Sequence, residues 1–494
     1  MKPLFTSLLL MVTAALPLRA GIDGCIRDAL SSKGIVASQQ ADPSTLVRRY
    51  YLVVTDRIPT PAQTRAFLKN PDRTALVDSL LASDGFVEKQ VLKWGDLLRI
   101  KSEFPSCMWP NAVQAFNKWL TEQFRANVPY NEFVSSLLLC SGSNFRVPQT
   151  NFYRAGNDRT PHKFASDAAL LFLGRRSAPA SWEPFFSQVK FKGTKEWKEE
   201  ILYIDIDVPA PRYSARLGGK VISLEPGEDF RIPFAGWLSA PDNRELARCY
   251  ANRLWSWLMG KGIIDPVDDL KEGAEPSNKA LLDYLADSFM ASGFNVRALA
   301  REILLSDAFA TSTISNDSNR GDVTLFSHYL HTRLGAEQIC DAICDVTEVP
   351  DQYSSRAPEP FTNFPAGTRA NQVCDGTITT SQLDIFGRPS RDVALESSRD
   401  NSVNSKQILF LLNSSAVQDK LRRSPYLDRM ASCEDVKALA ADIYIRVLSR
   451  EATPAELDAV DAWASRIRGD GRVRRIGESL IWALINTDEF LFQN

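Results

Sequence analysis

From Trp237 to Phe309 apolar residues return every three or four positions, and the pattern predicts three amphipathic helices in a row. Leu246, Tyr250, Leu254 and Leu258 step by four and mark the buried stripe of one helix, opened by a capping box at Asp242-Asn243-Arg244-Glu245. Helices are also predicted over 44–100, where Leu46 to Val54 is apolar and Thr60 can cap the next helix. Pro61 suits the first helical position and Gln63 can close the box. The device recurs near the end: Tyr444 to Glu456 reads YIRVLSREATPAE, against YLVVTDRIPTPAQ at Tyr51 to Gln63. A second echo links Leu80–Phe86 (LLASDGF), Ile303–Phe309 (ILLSDAF) and Leu484–Phe490 (LINTDEF). In each, a helix stops and a hydroxyl is placed to cap the next. The helical units of 44–100 and 440–490 therefore read as related hairpins, from divergent duplication or from shared capping chemistry alone.

Between them the period changes to two. Ile201 to Val208 puts Leu202, Ile204, Ile206 and Val208 on one side, which predicts a half-buried strand. Lys220–Leu224 and Phe230–Phe234 flank Glu225-Pro226-Gly227-Glu228-Asp229 and read as a hairpin. Residues 350–382 and 386–405 read as long loops, and helices return from Lys406. The expected fold is mainly α, with helical hairpin units at both ends and a small antiparallel β element near 200–235.

The first twenty residues stand apart. Met1-Lys2 is a positive start, Leu8 to Leu16 an apolar run, and Leu18-Arg19-Ala20 a small-residue ending before Gly21. That is the form of a secretory signal peptide, and a periplasmic or extracellular location is expected. No other apolar run approaches a membrane span in length. The formal charge of −2 becomes more acidic once Lys2 and Arg19 are removed, so no basic field exists to draw in nucleic acid. Eight cysteines in 494 residues are too sparse for a disulfide scaffold. Most read as small buried apolar residues, with room for one or two disulfides.

Chemistry-bearing residues are few. His328 and His331 lie three apart on an expected helix, with Cys340 and Cys344 downstream. One straight helix cannot bring ligands spread so far onto a single metal, so no metal and no cofactor is expected. Asp265, Asp268 and Asp269, backed by Glu272 and Glu275, form the densest acidic group. Such carboxylates suit calcium or acid–base work, but an Arg253 pairing to Asp268 or Asp269 across a hairpin folded at Gly260 and Gly262 is the simpler reading. Arg388 and Arg391 sit in a loop where they can hold an anion or pair with Asp384 or Asp392. No phosphate loop, dinucleotide fingerprint or nucleophile elbow is present.

Several words carry a resemblance. Arg48-Arg49-Tyr50-Tyr51, Pro59-Thr60-Pro61, Trp94-Gly95-Asp96-Leu97, Pro129-Tyr130-Asn131-Glu132-Phe133 and Phe172-Leu173-Gly174 resemble domain-of-unknown-function family 1549. Asn252-Arg253-Leu254-Trp255, Asp265 to Asp269, Phe386-Gly387-Arg388-Pro389 and Leu411-Leu412-Asn413-Ser414 resemble family 1553. The resemblance implies a secreted protein of the planctomycete-type cytochrome c-associated group. Those proteins commonly carry a Cys-x-x-Cys-His stretch after Phe-Leu-Gly. Here Gly174 runs into Arg175 to Phe185 without Cys or His, so covalent haem is not expected. The organisation expected is a signal at 1–20, a helical domain at 44–186, a β-containing connector at 187–236 and a second helical domain at 237–494. For function, the residues favour an exported binding or scaffold component whose partner is another exported protein or a surface glycan. Asn252, Arg253, Asp265, Asp268 and Asp269 form its candidate polar cluster. The alternative is a hydrolase of extracellular glycans or glycopeptides using the Asp group, so whether the chain is an enzyme stays open.

Overall fold

Capping chemistry sets the element boundaries. The computed structural model describes residues 21–209, 215–268, 270, 274–357 and 360–494; the segment 1–20 read as an export signal lies outside the described residues, as do Asp269 and Glu272. Among the described residues are 23 α-helices and seven short strands, a mainly α fold.

Thr60 opens the Pro61–Lys69 helix and Thr453 opens Pro454–Ala464, each with the reciprocal box read from the sequence. The helices before them, Pro43–Thr55 and Val436–Leu448, also end alike, on Asp56 (φ 56°) and Ser449 (φ 60°) in the left-handed region. In all three echoes the hydroxyl is a cap: Ser83, Ser306 and Thr487 accept from the amides of Phe86, Phe309 and Phe490. Two buried arginines tie these ends together. Arg48 donates to Val447 O at 2.8 Å and Phe490 O at 3.1 Å, and Arg49 to Phe309 O at 2.6 Å and Thr311 O at 2.9 Å. Carbonyls at helix ends lack intrahelical partners, so a guanidinium suits them. Burial pushes both guanidinium groups down to about 10.

Two apolar cores result. One gathers side chains from Ile22 to Tyr329, with Cys374 and Ala394; the other gathers Leu334 to Phe490, with Leu52 and Ile58 from the first hairpin. Leu246, Tyr250, Leu254 and Leu258 are all buried in the first. Tyr250 stacks on Tyr130 at 4.1 Å and on Phe289 at 5.2 Å between ring centroids. The cores thus do not follow the segment bounds read from the sequence, because residues 237–329 pack with the N-terminal helices.

Several local expectations need correction. The Arg244–Met259 helix is capped by Asn243, not Asp242: Asn243 Oδ1 accepts from Leu246 N at 3.0 Å while its amide holds Trp237 O at 2.9 Å. The strand ends early, at Glu200–Ile204, paired antiparallel with Val189–Gly193 and Gly142–Ser143. From Asp205 the chain turns, and Ile206 is exposed. The hairpin joins Ala215–Leu217 to Lys220–Ile222 instead, around Gly218-Gly219, whose positive φ suits a two-residue turn. Phe230 to Phe234 enters the Arg231–Leu238 helix, where Phe234, Ala235 and Leu238 are buried at helical spacing. His328 and His331 stand on irregular chain rather than a helix, and the His331 ring stacks on Phe492 at 4.4 Å. No disulfide joins any of the eight cysteines, all of which lie among the described residues.

Candidate functional site

The Asp84–Leu97 helix buries Phe86, Val87, Trp94 and Leu97, and its second face carries Lys89, Lys93 and Asp96 at positions i, i+4 and i+7. Those three side chains meet the second core. Lys89 Nζ lies 2.8 Å from Asp56 Oδ1 and donates to Leu52 O at 3.2 Å. Lys93 Nζ lies 3.4 Å from Glu396 Oε1. Asp96 accepts from Arg391 Nε at 2.8 Å and from Arg399 Nη2 at 2.6 Å. Arg399 pairs in turn with Glu337 at the start of the Ala336–Thr347 helix, and Arg388 Nε reaches the same carboxylate at 3.4 Å.

Gly387 makes this arrangement possible. Its φ is 89°, and a Cβ there would sit 1.9 Å from Asp400 O, so no other residue fits. The tight turn brings Arg388 and Arg391 under the helix. Arg388 also donates to Ile378 O at 2.5 Å and Val373 O at 2.8 Å. The pairs expected within the loop form elsewhere, because Asp384 accepts from Thr379 at 2.6 Å and Asp392 from Lys101 at 2.7 Å. Both guanidinium groups are buried and face Glu337 and Asp96 rather than an open anion site. Burial works to raise the Asp96 carboxyl, but Arg399 and Arg391 outweigh it and hold it low. Glu337 is held low in the same way by Arg399 and Arg388. Burial pushes the Lys89 ammonium down, with Asp56 opposing.

The Asn252-Arg253 pair supplies the adjoining wall. Asn252 clamps the turn after its helix through both amide atoms, donating to Ile264 O at 2.8 Å and accepting from Ile264 N at 2.9 Å. Gly262 is needed for that approach, since a Cβ there would meet Ile264 O at 2.3 Å. Arg253, fully buried, donates to Leu171 O at 2.6 Å and lies 3.4 Å from Asp268 Oδ1. Asp268 also accepts from Glu396 N. Burial, and secondarily Glu396, raises the Asp268 carboxyl above its ordinary value against the pull of Arg253. Asp265 stands apart on the rim, half exposed and 3.8 Å from Lys261.

Above these charges lies a cleft of about 540 Å³. Lys89, Lys93, Asp265, Asp268, Glu337, Glu396, Arg333 and Arg399 line it, and Trp257, His331 and Phe492 give it ring faces. Trp257 Nε1 donates to Glu396, and Lys93 lies over the Trp257 ring at 5.6 Å. The structure therefore joins Arg253 and Asp268 in one site, with Asn252 as its brace and Arg388 and Arg391 as its base. Sequence reasoning missed Lys89, Lys93, Glu337, Glu396 and Arg399. A trace of the first two exists, since Lys89, Lys93 and Asp96 fall at i, i+4 and i+7 and so share one face of the helix.

Residues 21–170 match the family described as PSCyt2, a protein of unknown function (DUF1549). Residues 230–464 match the family described as PSD1, a protein of unknown function (DUF1553). The chain thus carries segments that match these two families, in that order. Asp96 comes from the first matched segment, and Arg253, Asp268, Glu337, Arg388, Arg391 and Arg399 from the second. No curated protein and no solved structure matches the chain.

Proposed function

We propose that the protein is an exported binding component that holds a neutral, polyhydroxylated ligand, a surface or extracellular glycan, in this cleft. The observation that carries the reading is the composition of the walls. Four cationic side chains (Lys89, Lys93, Arg333, Arg399) stand among five carboxylates (Asp56, Asp265, Asp268, Glu337, Glu396), beside the faces of Trp257 and the His331–Phe492 stack. Near-balanced charge gives no reason to select an ion. Dense donors and acceptors suit hydroxyl groups, and ring faces suit the C–H faces of sugars. A network of buried charges also costs stability, which makes it a candidate for a functional role rather than simple support. Export rests on residues 1–20; N-terminal sequencing of secreted protein should begin near Gly21.

Calorimetry with neutral oligosaccharides tests the binding. Trp257→Ala and His331→Ala should each weaken it about tenfold, the loss of roughly 1.4 kcal/mol of ring contact, with circular dichroism showing the fold retained. Wild-type protein that ignores neutral glycans sinks the proposal. Hydrolysis is the second reading, favoured by one observation: the raised Asp268 carboxyl lies beside Glu396 in the cleft wall. Shortened glycan products, lost in Asp268→Asn and Glu396→Gln, would establish it.

A further inference from the structure

A second cavity, of about 800 Å³, opens between the first helical hairpin and the Ala336–Thr347 helix. Cys344 and Asp351 line it, and Cys344 is only half-buried. Behind them, from the Ser415–Arg422 helix, comes Lys420, whose side chain is 5% exposed. Its Nζ lies 3.3 Å from Cys344 Sγ, 2.7 Å from Asp351 Oδ1 and 2.8 Å from Val349 O. The thiol itself donates to Asp351 Oδ2 at 3.4 Å. One thiol, one amine and one shared carboxylate thus converge at the wall of a solvent-reached cavity.

We propose that Cys344 and Lys420 form a modification site, at which dioxygen or a peroxide joins them through a single oxygen as Cys344 Sγ–O–Nζ Lys420. The step balances with one dioxygen. The S–H bond, one N–H bond and the O–O bond break, S–O and O–N bonds form, and the second oxygen leaves as water with the two hydrogens. Sulfur and nitrogen give up two electrons each, and dioxygen takes all four. With hydrogen peroxide, two equivalents do the same work and three waters leave. Asp351 touches both partners, so it accepts the ammonium proton that must depart before nitrogen can bond. An inserted oxygen spans a gap of this width with little movement of either helix, whereas a direct S–N bond needs the helices to close up. Burial pushes the Cys344 thiol up to about 12, so thiolate is scarce. The site therefore responds slowly, to sustained oxidation rather than to a brief pulse.

The full-length folded protein, treated with hydrogen peroxide and digested, tests this by mass spectrometry. The expected product is a linked pair of peptides carrying Cys344 and Lys420, heavier by one oxygen and lighter by two hydrogens than the separate peptides. Dithiothreitol should release it. Cys344→Ser and Lys420→Arg should each abolish the pair, and Cys340→Ser should leave it. Circular dichroism confirms folding; if Lys420→Arg fails to fold, Cys344→Ser decides. Recovery of Cys344 only as thiol, sulfinic or sulfonic acid, or in a link without oxygen, overturns the proposal.

Discussion

Asp96 and Arg391 are 295 positions apart and meet at 2.8 Å, both nearly closed to solvent. The contact joins the Trp94-Gly95-Asp96-Leu97 word of the first matched segment to the turn that follows Phe386-Gly387-Arg388-Pro389 in the second. Gly95 permits it, since a Cβ there would stand 3.1 Å from Arg391 Nη2.

Removing one partner leaves the other as a buried, uncompensated charge. Asp96→Ala should cost about 3–5 kcal/mol in urea unfolding. Arg399 loses one of its two carboxylates but keeps Glu337, so Arg391 carries most of the loss. The Asp96→Ala/Arg391→Met double variant should cost less than the sum of the singles. Strict additivity would show that the pair does not couple.

Arg253 and Asp268 should respond unequally. Arg253→Ala loses both the Leu171 carbonyl bond and the Asp268 pair from a fully buried position, costing on the order of 3 kcal/mol. Asp268→Asn keeps an oxygen for Glu396 N and should cost less. Thermal melting of both variants checks the order. An Asp268→Asn variant that melts like wild type yet loses ligand would move this wall from support to function.

The two capping boxes offer a matched pair. Thr60→Ala and Thr453→Ala should each cost about 1 kcal/mol. The sites share no hydrogen-bond partner, so the double variant should show the sum. No change in either variant would mean that the boxes are ornaments of helices fixed by packing.

Asp341 sets a pH dependence. Burial raises its carboxyl from 3.8 to about 7, against the pull of Arg369 and the amide of Ala370. A carboxyl raised in the folded chain binds its proton more tightly there than when unfolded. Its contribution is therefore complete below about pH 4 and is lost as pH climbs toward 7. Asp341→Asn should flatten the fall in melting temperature across that window. An unchanged pH profile would assign the fall to another group.

How much was legible follows from how far each interaction reaches. Thr60, Thr453 and the three echo hydroxyls cap helices through bonds spanning three residues, so each sits whole in the sequence. The Leu246–Leu258 stripe is equally local, and Arg253 with Asp268 is a hairpin contact 15 positions long. The β element was harder. Phe230 to Phe234 alternates like a strand, but its apolar residues satisfy a helix equally well, and Gln188 fixes the choice by accepting from Phe230 N at 2.9 Å.

The sequence by itself determined a mainly α chain, the helix caps at Thr60, Ser83, Ser306, Thr453 and Thr487, the two matched capping boxes and the two family segments, because those caps rest on neighbours within a turn or two of backbone. Only the tertiary structure decided which carboxylates Arg388 and Arg391 meet, that residues 237–329 join the N-terminal core, and that Lys89, Lys93, Glu337, Glu396 and Arg399 share one cleft. Each of those outcomes depends on which helix faces lie against each other, and a charged side chain carries no local mark of its distant partner.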